Sequence, residues 1–349
     1  MGYILNLAMK LATHHPADRR TKNEHAVLQR IKKSMPRGGI SLGGLHLGIG
    51  DDAALFQPTK GCEQVLTCDW FLEGTHFLRD KHPPDSVGWK CLARAVSDIA
   101  AMGGVPRCFL LSLALPETHT RSWLSKFMRG LSRAAARFGC VLAGGDTTCR
   151  QDILVSVTVV GEVSSGKALL RSGAKPGDVL FVSGRLGGAA LGLHLLRKSK
   201  GRLNLQNLLL RKHLYSEPRL ALGHFLAEKR LASAMMDLSD GLSTDLPRLC
   251  AASKVGARVH AVQIPVVLPR EHAAAPQNPL QLALHGGDDY ELLFTVPKRK
   301  LKLLPRAYQG TPLTAMGEIT KDRGLLLINA TGKGISLENR GWDPFRGTR

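Results

Sequence analysis

The chain has 349 residues, 44% of them hydrophobic and 22% charged. That length and mix suit about two globular domains and exclude a wholly disordered chain. Its 48 Lys and Arg against 28 Asp and Glu give a net charge of +20, which invites a polyanionic partner without locating a face for one.

Residues 1–22 are expected to be a disordered extension, or to reflect an upstream start codon. Tyr3–Ala12 is mildly apolar but interrupted by Asn6 and Lys10, and it lacks a basic flank and a cleavage site. A helix is predicted over Glu24–Ser34 and a strand over Val65–Asp69. The clearest helix spans Ser86–Met102, where Leu92, Val96 and Ile99 recur at helical spacing. Ser86 is its expected N-cap, Gly103-Gly104 its C-cap signal and Pro106 its stop. A strand over Cys108–Leu115 and a helix over Thr120–Phe138 follow. Ile153–Val163 reads as a strand because Val155, Val157 and Val159 alternate with Ser156 and Thr158.

The turn-rich stretch Ser164–Gly177 divides the chain into α/β halves at 23–165 and 170–349. The second half begins with a strand over Asp178–Ser183. Helices are predicted over Gly188–Arg197, Pro218–Arg230 and Leu242–Ser253, and strands over Ala257–Ile264, Leu292–Val296 and Leu325–Asn329. No apolar run reaches the roughly 18 residues of a membrane span. The seven cysteines are odd in number and contain no CxxC pair. Reduced thiols in the cytoplasm are therefore expected, rather than a disulfide framework or a zinc site.

Two glycine-rich segments imitate phosphate loops. Gly161–Ala168 ends in Ala168, where a P-loop needs a metal-binding hydroxyl, and Gly173 and Pro176 leave no room for the helix that should follow. Gly48-Ile-Gly50-Asp51-Asp52-Ala53 carries two carboxylates that would repel a pyrophosphate unless a cation intervened.

That cation is the useful clue. Eleven of the 28 acids are Asp51, Asp52, Asp69, Asp98, Asp146, Asp237, Asp240, Asp245, Asp288, Asp289 and Glu291, bunched in or beside Gly-bounded loops. Singly, each has a plain reading. Asp240 is placed to cap a helix, and Asp98 to pair with Arg94 one turn earlier. Together, adjacent carboxylates repel unless cations compensate them. Hard oxygen donors of this kind suit Mg²⁺ held jointly with phosphates.

The segments Gly48–Ala54, Val96–Gly103, Gly144-Gly-Asp-Thr-Thr148, Arg171–Asp178, Met236-Asp-Leu-Ser-Asp-Gly-Leu242 and Gly286-Gly-Asp-Asp-Tyr-Glu-Leu292 resemble, in this order, the thiamine-monophosphate kinase family of the aminoimidazole ribonucleotide synthetase-like superfamily. The resemblance runs from about Asn23 to Phe345. It implies an α/β (α+β) fold of two domains. The N-terminal one, 23–165, would bind ATP and Mg²⁺, and its mixed sheet would form a homodimer interface; the C-terminal α/β domain would span 170–349. It also implies direct, Mg²⁺-assisted transfer of the ATP γ-phosphoryl group to thiamine monophosphate, the last step to thiamine diphosphate.

On the family pattern Asp52, Thr67, Asp69, Asp98, Asp146, Asp237 and Asp240 would be metal ligands. Cys68 stands where the family often has Thr, and only its backbone carbonyl is a credible ligand. Gly145, Asp146, Arg171 and Ser239 would hold ATP. His76, Asp288 and Trp342 would contact the substrate, with Asp288 where some relatives carry Glu. Each also has a bland reading: Arg171 as surface charge, Ser239 as a loop hydroxyl, His76 as a satisfied histidine and Trp342 as a packed plug. No general base is implied, because a phosphate monoester is largely ionised at neutral pH.

Two alternatives stay open. One is another ATP-using enzyme of the superfamily, such as the cyclising synthetase that acts on formylglycinamidine ribonucleotide. Selenophosphate synthetase fits poorly, since residues 1–45 hold no Cys; a hydrogenase-maturation relative fits poorly, since the chain ends Phe345-Arg-Gly-Thr-Arg349. The other is a basic nucleic-acid-binding protein, but Arg197–Lys212 and Lys298–Arg306 lack interleaved aromatics, and Lys298–Arg306 reads as a solvated helix face. The expected partners are thus thiamine monophosphate, ATP and a second copy of the chain, with neither nucleic acid nor membrane.

Overall fold

The computed structural model describes residues 24–35, 44–201, 203–268 and 278–345; the expected disordered extension at 1–22 lies outside them. The first half runs α1 (Glu24–Ser34), β1 (Leu45–Leu47), β2 (Leu55–Phe56), β3 (Cys62–Leu72), α2 (Pro84–Ala101), β4 (Val105–Leu115), α3 (Ser122–Phe138), β5 (Val141–Cys149) and β6 (Leu154–Ser164). β1 and β2 pair antiparallel. β3, β6, β4 and β5 form a four-stranded sheet in that order. Its β4–β5 pair is parallel, as the α3 crossover between them requires.

Helices α2 and α3 cover one face of this sheet, against Phe71, Phe109, Leu111, Val155, Val157 and Val159. They cross where Gly88 faces the Phe127 carbonyl and Gly130 faces that of Asp85; a Cβ at either would lie within 2.0 Å of that oxygen. On the other face Leu66, Trp70 and Leu110 are exposed.

α2 begins two residues before the expected Ser86. Pro84 occupies its first turn, where its fixed φ suits a helix start. The Ser86 hydroxyl donates back to the Pro83 carbonyl at 2.7 Å. Gly103 ends the helix with φ of 74°, as expected of a C-cap glycine. Pro106 does not stop the chain there. It lies inside β4, at a register shift against β6 that tolerates its missing N–H.

The second half runs β7 (Val179–Ser183), α4 (Gly188–Lys198), α5 (Leu208–Leu214), α6 (Leu220–Glu228), β8 (Ala234–Asp237), α7 (Leu242–Ser253), β9 (Gly256–His260), α8 (Pro279–His285), β10 (Leu292–Val296), β11 (Ala307–Tyr308), β12 (Thr311–Thr320), β13 (Leu325–Ile328) and β14 (Gly334–Ser336). The sheet order is β14-β13-β9-β12-β7-β10-β8, with β11 on β12. The expected strand Ala257–Ile264 ends at His260, and a 3₁₀ turn occupies 261–263. Lys298–Leu303 is likewise a 3₁₀ stretch, not an α-helical face.

The two halves meet on α2. Its last turn, Ala100 and Ala101, packs into the core of the second half with Leu222, Leu226, Phe181 and Phe294. Among the described residues no helix is long and apolar enough to cross a membrane.

Candidate active site

Helix α2 has a polar stripe. Lys90, Arg94, Ser97 and Asp98 fall at i, i+4, i+7 and i+8, one face of a helix. Strand alternation supplies the next wall. In β3, Val65 and Phe71 enter the core, so Thr67 and Asp69 point the same way, towards α2. Thr67 Oγ1 donates a short hydrogen bond to Asp98 Oδ2. Cys68 faces the other side, where its Sγ lies 3.4 Å from Ser156 Oγ. The thiol is thus turned away from the stripe, and only the Cys68 backbone accompanies Thr67 and Asp69.

The second half closes the site from above. Asp237, the last residue of β8, is buried and accepts a 2.8 Å hydrogen bond from Ser97 Oγ. Asp240 does not cap α7: the cap is Gly241, with no side-chain bond. Asp240 instead pairs with Arg248 at 2.5 Å. Asp245 bends back to accept the N–H groups of Asp240 and Gly241 at 3.0 and 3.1 Å.

In the Gly286–Glu291 loop, Asp288 Oδ2 takes a 2.8 Å bond from Lys90 Nζ, a side chain only 1% exposed. Asp288 Oδ1 accepts the Tyr290 hydroxyl at 2.8 Å. Both residues have positive φ, 69° and 49°. That strain is held by their N–H bonds to the carbonyls of Ser239 and Leu238. Lys90 Nζ also lies 3.3 Å from His213 Nδ1, and His213 Nε2 lies 3.1 Å from His82 Nε2.

The electrostatics divide the site in two. Burial, then the nearness of Asp98, raises Asp237 well above the usual carboxylate range. Burial also raises Asp98, and lifts Asp69 to about 6 against the opposing charge of Arg94. At Asp288 burial acts upwards too, but Lys90, His213 and Arg94 outweigh it and hold the carboxyl far below the ordinary value. One region is therefore short of positive charge and the other is not. Asp69, Asp98, Asp237 and Asp240 offer oxygen donors alone, the set a hard divalent cation takes. Among the described residues no three acidic, histidine or cysteine side chains converge as a ready cage. Such a cation would therefore complete its shell with phosphate and water oxygens, as Mg²⁺ does.

His76 and Trp342, distant in sequence, come together with ring centroids 6.4 Å apart. The Trp342 backbone N–H donates to the Asp240 carbonyl at 2.9 Å, which ties the C-terminal segment over the acidic loop. Burial, with repulsion from Arg94, lowers His76 to about 4, so its ring is neutral at physiological pH.

The comparisons with known proteins follow this geometry. Residues 50–163 match the model of the AIR synthase related protein N-terminal domain, and 175–328 that of the C-terminal domain. Thiamine-monophosphate kinase of Bacillus subtilis (strain 168) is 36% identical over 313 residues, 86% of this chain and 94% of that protein. This chain belongs to the thiamine-monophosphate kinase family. Among solved structures, the family's enzyme from Stenotrophomonas maltophilia K279a superposes with a TM-score of 0.78 at 35% identity, over 89% of this chain and 98% of that one. The structure of AaThiL complexed with AMPPCP and TMP gives a TM-score of 0.73 at 33% identity, over 96% of this chain and 100% of that one.

The family's acidic motifs do not all sit together. Thr67, Asp69, Asp98, Asp237, Asp240 and Asp288 share the junction around α2. Asp52 and Asp146 are exposed; the Asp52 N–H donates to Asp51 Oδ1 at 2.9 Å, and Asp146 Oδ1 accepts the Thr147 N–H at 2.9 Å. Their loops neighbour each other: a Cβ at Gly48 would lie 3.7 Å from the Ala143 carbonyl. Gly145 has φ of 152°, and a Cβ there would lie 1.9 Å from the Leu111 carbonyl, so β5 requires glycine beside Asp146. Arg171 is exposed in the turn 171–173 and near enough to lower Asp98. Ser239 is half-buried under the Asp288 loop.

The near-match Gly161–Ala168 is no phosphate loop. β6 runs through it to Ser164, and Lys167 pairs with Glu228. A cavity of about 720 Å³ beside Arg185, Lys212, Arg219 and Glu291 contains none of the expected site residues. Lys90, Ser97, His213 and Tyr290 were not singled out from the sequence. The available signal was the Lys90–Arg94–Asp98 spacing within an otherwise apolar helix.

Proposed function

We propose that this chain transfers the γ-phosphoryl group of ATP to thiamine monophosphate, giving thiamine diphosphate and ADP. The observation that carries this reading is the carboxylate set gathered from both halves around α2, directly beside the His76–Trp342 ring pair. Both reactants are anions and repel each other. Mg²⁺ bound at Asp52, Thr67, the Cys68 carbonyl, Asp69, Asp98, Asp146, Asp237 and Asp240 would neutralise that charge and lower the barrier electrostatically. The protein's own part is positional. Gly145 and Asp146, with Arg171 and Ser239, hold ATP. His76, Asp288 and Trp342 hold the acceptor, the tryptophan through its face against a cationic ring. The acceptor phosphate is ionised at neutral pH, so the residues need abstract no proton.

The purified protein should convert thiamine monophosphate and Mg·ATP to thiamine diphosphate and ADP, read by chromatography of both products. Refusal of this acceptor at adequate Mg²⁺, with turnover of another phosphorylated one, would move the chain to a different reaction of its superfamily.

A homodimer through the outer face of the four-stranded sheet completes the reading. Exposed Leu66, Trp70 and Leu110 supply an apolar patch of the kind that marks an interface. Sedimentation should give twice the chain mass, and Trp70→Glu should shift it to one. A single-chain mass for the parent protein would exclude the dimer. We place the reaction in the reducing cytoplasm, with seven cysteines free of disulfides in support.

A further inference from the structure

Arg94 stands at the centre of the site without a hydrogen bond among the described residues. Its guanidinium lies 3.8 Å from Asp69 and 3.7 Å from Asp288. Those distances bring Coulomb attraction, but they exceed a hydrogen bond. Its Nε is buried and has no partner among the described residues. The side chain is 17% exposed, and its plane rests over the Phe71 ring with Cζ 5.6 Å from the centroid. Buried donors are normally satisfied, and a guanidinium has five. This one is fixed in place and unspent.

Neutralising the two carboxylates does not account for it. Asp288 already has its cation, Lys90, at 2.8 Å, and a second donor in Tyr290. Asp69 belongs to the carboxylate set that would face Mg²⁺. Arg94 therefore sits on the border between two regions. On one side are Asp69 and Asp98. On the other are Asp288 and the His76–Trp342 pair, and Arg94 is close enough to His76 to depress its basicity. A phosphate attached to a ring held by His76 and Trp342, and approaching metal ions at Asp69, must pass this border.

We propose that Arg94 binds the phosphate of the acceptor, donating from its terminal nitrogens to oxygens that are not attacking ATP. A planar fork matches a phosphate in two places at once. It would fix the direction in which the acceptor oxygen points and would select phosphorylated over unphosphorylated acceptor. This rests on the phosphoryl-transfer reading above.

The test uses the full-length protein, first confirmed to turn over thiamine monophosphate; failure there is a failure of the reading above, not of the role of Arg94. Arg94→Met should raise KM for thiamine monophosphate about tenfold to a hundredfold, the effect of losing one or two charged hydrogen bonds. KM for ATP should stay within about threefold of the parent value on the same basis. Calorimetry with thiamine and with thiamine monophosphate separates phosphate recognition from loop support: the variant should lose affinity for the phosphorylated compound and keep it for the other. Arg94→Lys keeps the charge and loses the fork, so it should fold even if Arg94→Met does not, and still show a raised KM for the acceptor. Unchanged acceptor KM in the folded variants overturns the proposal. So does an equal loss of affinity for thiamine and its monophosphate, which would assign Arg94 to holding the Asp288 loop.

Discussion

Asp237→Asn should cost turnover about 10³-fold in a protein that melts at a higher temperature than its parent. The two effects come from one charge. Asp237 is buried, with Asp98, Asp245 and Asp69 near enough to raise its carboxyl. In the metal-free protein its ionised form is therefore unfavourable, and an amide of the same shape removes that cost while still accepting the bond from Ser97. In catalysis the same charge would bind Mg²⁺, whose stabilisation of developing charge is several kcal/mol; about 1.4 kcal/mol per tenfold makes that a thousandfold or so. Asp52→Asn should lose comparable turnover without the thermal gain, because Asp52 is exposed. Steady-state rates at saturating Mg·ATP, with calorimetric melting of metal-free protein, check both. Near-normal rates in both variants would refute the assignment of these carboxylates to metal.

The opposite thermal behaviour expected at these two positions was not visible from the sequence, where Asp52 and Asp237 look alike. Local pattern does find elements with a strong period. Val155, Val157 and Val159 announce β6, and Leu92, Val96 and Ile99 announce α2. It misses strands whose residues are chosen for something else. β5 contains Gly144-Gly145, which reads as a turn until the Leu111 carbonyl is seen against it. β12 carries Pro312 and Gly317 and shifts register beside the glycine. β8 has only four residues, all buried, and shows no alternation.

At the site, the acidic motifs were legible because like charges in loops are an anomaly at any range. Their partners were not. One helical turn separates Arg94 from Asp98, which suggested a pair. Tertiary packing instead turns Arg94 to Asp69 and Asp288, and gives Asp98 to Thr67. The cation that does hold Asp288 is Lys90, 198 residues away, beyond any local rule.

Metal-free protein should lose stability as pH rises from about 7.5 to 8.5, and Mg²⁺ with an ATP analogue should restore it. Burial raises Asp69 to about 6 and Asp245 to about 7, and Asp237 higher still, from an ordinary value of 3.8. Above 3.8 the unfolded chain has released these protons while the folded one retains them. The contribution is therefore complete at low pH and disappears as pH climbs through the folded values. The histidines act the other way. His76 and His82 are lowered to about 4 from 6.5, and His213 well below it, burial being the chief cause in each. Their effect, shared in direction by His119, His194 and His285, is a gain in stability on raising pH that is complete only about a unit above 6.5, so beyond that point the carboxylates decide the slope. Bound cations favour the ionised carboxylates and cancel the loss. The melting-temperature gain from Mg²⁺ over chelator should thus be larger at pH 8 than at pH 6.5, and smaller in Asp237→Asn at both. A gain independent of pH, or one left intact by Asp237→Asn, would mean that cations do not meet these carboxylates.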